Sequence, residues 1–321
     1  MKKDKFKKSA HNTIDLQISA LQKLKRSIGN SFNQAVKTIG DCKSKTIFIG
    51  VGKSQKIASL VSSSLSSCAA ESYSLTAEDC VHGDLGSISP KDCVIIISNS
   101  GTTSEIKPVI SFCKKLGVTL IGITSKKNSD LYKSANIKIL LPEVKEGGVG
   151  GVVPSTSLVT QTSFNTALVL SVMNYKNQGV TKLKKTHPAG SLSKKLLTAE
   201  DLKVPAPFIS ESCIMKKALK ILSKKKLGLL VARNNKKLTS GLIVDGDVKR
   251  ASQKYKNLHD LKVKDIMTKK PLSVDRDKLA VNCLNLMNKK RITSLLVHKN
   301  NKKKTTTIGV LHIHKVLENI Q

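Results

Sequence analysis

Two stretches in the last third of the chain repeat each other. Leu229-Leu230-Val231, followed by Asn234, Asn235, Lys236 and Lys237 and then Gly241-Leu242-Ile243, recurs as Leu295-Leu296-Val297, followed by Asn300, Asn301, Lys302 and Lys303 and then Gly309-Val310-Leu311. The offset is 66 residues at the start and 68 at the end (229 to 295, 241 to 309). Upstream of each copy an apolar-periodic stretch predicts a helix, at 218–222 and 280–287, and each copy closes with another, at 245–250 and 314–318. A helix-strand-strand-helix unit of this size cannot bury its apolar face alone, so the two units pack on each other. Of the 321 residues, roughly 200 then remain for a separate leading domain. The expected boundaries are 1–200, 201–262 and 263–321.

The leading domain has a different rhythm. Residues 12 to about 40 predict one or two helices, with Ile14, Leu16, Ile18, Leu21, Leu24, Ile28 and Phe32 at three- and four-residue steps. Short β-rich runs then alternate with helical stretches: 46–50, 94–98, 119–124 and 137–141. Strands bracketed by helices in this way imply a parallel sheet covered on both faces. A long apolar helix is predicted from about Ser155 to Asn174, and a lysine-rich, turn-prone stretch from 178 to 198 ends the domain.

Composition excludes several classes. No apolar run approaches the roughly 20 residues that cross a bilayer, and the basic N-terminal decapeptide is followed by no apolar segment of the secretory kind. The expectation is a cytoplasmic protein with no membrane partner. Seven cysteines without a Cys-x-x-Cys pair suit reduced thiols better than disulfides or a zinc ribbon. The net charge of +34 raises nucleic acid as a partner. The details argue against specific binding. The only arginines are Arg26, Arg233, Arg250, Arg276 and Arg291, and aromatics make up 3% of the chain, so forks for base readout and platforms for stacking are both scarce. Lysines scattered through every segment give a solvated surface that still steers small anions inward.

Two loops follow predicted strands and carry the chemistry. Gly50-Val51-Gly52-Lys53-Ser54 fails as a Walker A loop, which needs glycine at Ile47, and as a dinucleotide fingerprint, which needs glycine at Gln55. It is a strand-to-helix turn whose glycines admit a ligand and whose amides face an anion. The stronger signal is Ser98-Asn99-Ser100-Gly101-Thr102-Thr103-Ser104-Glu105, directly after an apolar strand. One helix cap needs one hydroxyl. This many hydroxyls with a glycine predict a phosphate cradle that works without a metal. Both loops are expected side by side at the carboxyl edge of the sheet, where open α/β sheets bind ligands.

With ValHisGlyAspLeuGly at 81–86, ProSerThrSer at 154–157 and HisProAlaGly at 187–190, these loops and the tandem repeat follow one order from about residue 40 to the end. That order resembles the arabinose 5-phosphate isomerases, sugar isomerase (SIS) domain proteins with two CBS domains. The resemblance implies an α/β fold, an SIS-type parallel sheet flanked by helices as a flavodoxin-like three-layer sandwich, plus a tandem CBS-domain pair. It implies interconversion of D-ribulose 5-phosphate and D-arabinose 5-phosphate, supply of the lipopolysaccharide sugar Kdo, and a homotetramer. By motif position it implies catalytic Lys53, Glu105, Glu146 and His187, with Ser54, His82, Ser98, Ser100, Thr103 and Ser155 binding substrate. Asp247 falls where CBS domains often keep a ribose-binding acid, and a nucleotide or nucleotide-sugar is the expected ligand of that pair.

Those residue types suit the reaction. Moving a proton between C1 and C2 through an enediol needs a base, a group that shuttles hydroxyl protons and a cation for the oxyanion, but no redox cofactor. A partly desolvated glutamate is a natural carbon base, with Glu146 preferred over Glu105 because the latter sits in the phosphate-loop helix. His187 would open the ring or shuttle protons, and Lys53 would steady the enediolate.

The sequence also departs from the common pattern. Thr76 replaces a histidine associated with zinc in many relatives, so no metal is expected, and Ala189 replaces a glycine. His312 and His314 form a His-x-His pair that is read as structural. Two alternatives remain open: a non-catalytic phosphosugar-sensing SIS-CBS regulator, and an isomerase of another phosphosugar.

Overall fold

The structure is a computed structural model that describes residues 2–177, 179–187, 191–225, 227–299 and 306–320. Contacts divide the chain into two compact units, Met1–Thr186 and His187–Gln321. The division by contacts falls at 186, and Ala199 and Leu202 bury in the core of the second unit.

The first unit opens with helices α1 (Lys2–Ser27) and α2 (Asn30–Asp41) and continues as β1 (Thr46–Gly50), α3 (Gly52–Cys68), β2 (Ser72–Thr76), α4 (Ala77–Cys80), β3 (Cys93–Ile97), α5 (Ile106–Leu116), β4 (Thr119–Thr124), α6 (Asp130–Ser134), β5 (Ile137–Leu140), α7 (Thr156–Lys176) and α8 (Gly179–Thr186). The sheet is wholly parallel, in the order β2-β1-β3-β4-β5. Central β1 and β3 are buried on both faces, which explains their unbroken apolar runs. Successive side chains point to opposite faces of a strand. Phe48 and Ile95 therefore join a core with α1, α2, α3 and α7, whereas Ile47, Ile49, Val94 and Ile96 join a second core with α5 and α6. The result is three layers. The edge strand β2 was not predicted, since its Ser72-Tyr73-Ser74 start is half-buried and offers no apolar run.

Helix α7 is present but is not apolar throughout. Its first turns bury Thr156, Ser157, Thr160 and Gln161, and from Phe164 onward it buries Leu168, Val169 and Val172 with the polar Asn165 among them. The polar half lies where the helix meets Ser54 and Asn99.

The second unit contains α9 (Ser191–Lys195), α10 (Ala199–Leu202), β6 (Phe208–Ser210), α11 (Met215–Lys225), β7 (Leu229–Arg233), β8 (Thr239–Val244), α12 (Asp245–Lys254), α13 (Val263–Ile266), β9 (Thr268–Lys269), β10 (Ser273–Asp275), α14 (Ala280–Lys290), β11 (Ser294–His298), β12 (Thr307–His312) and α15 (Ile313–Ile320). Each repeat forms its own sheet, β6-β7-β8-β9 and β10-β11-β12. The short helices cross over between repeats. Helix α10 precedes the first repeat but packs in the core of the second, and α13 precedes the second but contributes Val263 to the core of the first. Leu229, Val231, Leu296 and Val310 form a small shared core between them. Mutual burial of this kind is what units too small to stand alone require.

All seven cysteines are free. Burial pushes the Cys93 and Cys113 thiols up to about 12 and those of Cys80 and Cys283 up to about 11. Protonated thiols are poor nucleophiles. Among the described residues no helix is long and apolar enough to cross a membrane, and no three metal-ligating side chains cluster.

Candidate active site

The carboxyl ends of the neighbouring strands β1 and β3 open onto one cavity of about 330 Å³, lined by Val51, Ser54, Ile97, Ser98, Asn99, Ser100 and Thr103. Ser54 lies in the first turn of α3, so its hydroxyl stands beside a helix N-terminus, where anions are favoured. Gly50 must be glycine, because a β-carbon there would lie 2.8 Å from the backbone of Ser54 and Gln55. Two strand ends and one helix start therefore converge as the loops predicted.

The 98–105 loop is organised by its own hydroxyls. Ser98 Oγ accepts the Gly101 N–H at 3.0 Å and lies 3.1 Å from Thr103 Oγ1, which lies 3.4 Å from Ser100 Oγ. Gly101 has φ +65°, and a side chain there would collide with Thr124 and Ser129. Its carbonyl accepts the Leu131 N–H at 3.1 Å, which ties the loop to α6. The hydroxyls and amides of this loop suit a multiply charged oxyanion of phosphate size. Asn99 belongs to the same lining and was missed as a site residue in the sequence. Its place between two cradle serines was the available signal.

The structure brings Ser54, Ser98, Ser100 and Thr103 together in one lining, to which the other expected site residues do not belong. Lys53 is exposed next to Ser54 at the start of α3. Glu105 stands at the position just before α5, with helical backbone angles and no capping hydrogen bond from its side chain. A hydrogen bond donated by the Ser104 hydroxyl at 2.6 Å holds the Glu105 carboxyl below its usual range. His82 is exposed in the turn after α4, where its N–H donates to the Asp79 carbonyl at 2.9 Å, and it is not part of the cavity lining. Thr76 caps α4 by accepting the Asp79 N–H at 2.9 Å. His187 directly follows α8, is half-buried and opens the second unit, while residues 188–190 of its motif lie outside the described residues.

Glu146 and Ser155 close a loop instead of lining the cavity. Glu146 Oε2 accepts from the Ser155 N–H at 2.9 Å, the Thr156 N–H at 2.8 Å, the Ser157 N–H at 3.2 Å and the Ser155 hydroxyl at 3.2 Å. Ser155 Oγ in turn accepts the Gly147 N–H at 2.8 Å. A carboxylate at the N-terminus of a long helix satisfies orphan amides and opposes the positive end of the dipole. Burial raises the Glu146 pKa, but the donors from Ser155, Thr156 and Ser157 outweigh it and hold the carboxyl below its usual range. The cap was not visible in the sequence because Glu146 and Ser155 stand nine positions apart.

In the second unit Asp247 is 5% exposed. Its Oδ2 accepts the Val244 N–H at 3.0 Å, and its Oδ1 accepts from the Thr268 hydroxyl at 3.1 Å and from the Arg250 guanidinium. The His312 and His314 rings lie 5.2 Å apart, and burial followed by the nearby His314 lowers the pKa of His312.

Comparison with known proteins agrees with this layout. The SIS domain family matches residues 39–171 and the CBS domain family residues 263–321. Arabinose 5-phosphate isomerase KdsD of Escherichia coli (strain K12) is 29% identical over 320 residues, covering 97% of this chain and 95% of that protein. Uncharacterized protein RP505 of Rickettsia prowazekii (strain Madrid E) is 31% identical over 317 residues, covering 96% and 95%. An E. coli CFT073 protein solved in complex with arabinose 5-phosphate covers 59% of this chain and 100% of its own length, with a TM-score of 0.56 and 29% identity. A cradle at the carboxyl edge of a parallel sheet, followed by a paired repeat and matched along nearly the whole length, places the chain in the SIS-CBS family of the arabinose 5-phosphate isomerases.

Proposed function

We propose that this protein interconverts D-ribulose 5-phosphate and D-arabinose 5-phosphate through an enediol. The observation that carries the reading is the shared cavity of Ser54, Ser98, Ser100 and Thr103, which gathers hydroxyls from two strand ends around one space of about 330 Å³. The KdsD relatives bear the corresponding name over nearly the whole chain.

In this reading the phosphate binds to the hydroxyls and amides of the cradle, which anchors the sugar with C1 and C2 toward the surrounding loops. Glu146 removes the proton at the carbon next to the carbonyl. Its carboxylate is ionised at neutral pH, as a proton acceptor requires, while Oε2 holds the start of α7. Lys53 stabilises the enediolate oxygen, Glu105 orients Lys53 or a sugar hydroxyl, and His187 opens the ring or shuttles protons between O1 and O2. His82 and Ser155 serve as outer substrate contacts. No step calls for a metal or redox cofactor. The product supplies Kdo and lipopolysaccharide synthesis in the cytoplasm, the enzyme acts as a homotetramer, and a nucleotide or nucleotide-sugar at the CBS pair adjusts its rate.

The test is incubation of the purified, chelator-treated protein with D-ribulose 5-phosphate, with the products followed by NMR so that each epimer is distinguished. Appearance of D-arabinose 5-phosphate is the expected result. Phosphosugar binding without conversion would move the function to a sensor, and conversion to a different sugar would move it to another isomerase.

A further inference from the structure

We propose that Gln161 is a positioning residue that sets the amide of Asn99 for phosphate, and this rests on the reading of the cavity as a phosphate site. Gln161 is 2% exposed in the polar half of α7 and reaches both sides of the cradle. Its Oε1 accepts the Ser54 hydroxyl at 3.3 Å, and its Nε2 donates to Asn99 Oδ1 at 3.5 Å. Ser125 Oγ donates to the same Asn99 oxygen at 2.9 Å.

The consequence lies in how an amide divides its hydrogen bonds. A carboxamide oxygen accepts and its nitrogen donates, so two donors converging on Oδ1 fix which end of Asn99 faces them. Asn99 Nδ2 has no partner among the described residues, and Asn99 lines the cavity together with Ser98, Ser100 and Thr103. The amide therefore presents a donor to an oxyanion, where the opposite rotamer would present a repelling oxygen. The Asn165 side-chain amide donates to the backbone carbonyl of Gln161 at 2.9 Å, one turn further along α7. A buried glutamine on a helix from elsewhere in the chain thus couples the hydroxyl of one loop to the amide of the other. This accounts for a buried polar turn in a helix that the sequence suggests is apolar.

Isothermal titration calorimetry with inorganic phosphate, alongside isomerase kinetics, tests this on the full chain. Gln161→Met keeps volume and removes both hydrogen-bonding ends. The variant is expected to bind phosphate about 10-fold more weakly, the scale of one hydrogen bond to a charged group, and to raise KM by a similar factor with kcat within about twofold. Asn99→Ala, at an exposed position that carries little folding risk, should show the same loss. The double variant should lose clearly less than the product of the two single losses, because the larger part of the effect of Gln161 runs through Asn99. Independent, multiplying losses, or unchanged phosphate affinity and KM in a folded Gln161→Met, would overturn the inference. Weaker phosphate binding in the variants of a protein that isomerises nothing would sink the isomerase reading and leave this one standing.

Discussion

The cradle of the first unit and the Asp247 position of the second both stand at the start of a helix, and the sequence marks both as expected ligand positions. Their hydrogen-bond capacity is arranged in opposite ways. In the cradle, Ser98, Ser100 and Thr103 bond to one another loosely enough that hydroxyls and the Asn99 amide still face open space. At Asp247 both carboxylate oxygens are already engaged by Val244, Thr268 and Arg250, and the group is buried. A motif position marks a site only where its polar groups keep capacity for a ligand. In this state Asp247 fastens α12 to β9, and ribose would have to displace Thr268 or Arg250 to reach it.

The sharpest way to break the contrast is at Lys53. Lys53→Met removes the cation proposed for the enediolate and should lower kcat by about 100- to 1000-fold, with inorganic phosphate still bound. Near-normal turnover in steady-state assays would leave the open site without its electrostatic partner.

Glu146→Gln separates base from cap. Loss of a carbon base should lower kcat by about 100-fold or more, whereas loss of the cap alone should cost about 1 kcal/mol of stability and leave turnover nearly intact. The pH dependence carries a sign. The folded pKa of Glu146 lies below the ordinary 4.5, so its stabilisation is complete above that value and is lost as pH falls through the folded pKa. Thermal unfolding of Glu146→Gln should therefore be flatter in acid than that of the natural protein, and parallel curves would contradict the capping role.

Thr103→Val probes the cradle by removing the hydroxyl that lies between Ser98 and Ser100. KM for the phosphosugar should rise by about 10-fold with a small change in kcat. A fall in kcat at constant KM would mean that the loop serves the reacting carbons instead of the phosphate.

The smallest expected effect on activity lies in the second unit. Asp247→Ala should destabilise that unit by about 1–3 kcal/mol, since Val244, Thr268 and Arg250 lose their shared acceptor. Basal isomerase rate should hold. Calorimetric unfolding that does not shift would show that Asp247 is not a fastener.

Some of this was legible in the amino-acid order. Strands β1 and β4 were placed at 46–50 and 119–124, because central parallel strands are buried on both faces and show as unbroken apolar runs. Edge strand β2 was not, because a half-buried edge tolerates Ser72 and Ser74 and so breaks the run that marks a strand. The hydroxyl-rich loop announced itself because its residues are contiguous. Asn99 was passed over within it, and Gln161 was read as part of an apolar helix.

The sequence by itself determined the internal repeat, the parallel sheet and the loop that forms the cradle, since each depends on residues close together in the chain or recurring at a fixed period. Only the tertiary structure decided that Glu146 closes onto the start of α7, that Gln161 reaches Ser54 across 107 residues, and that α10 and α13 exchange places between the two repeats. Hydrogen bonds and burial act on distance in space, and only the folded chain brings such distant residues within reach of one another.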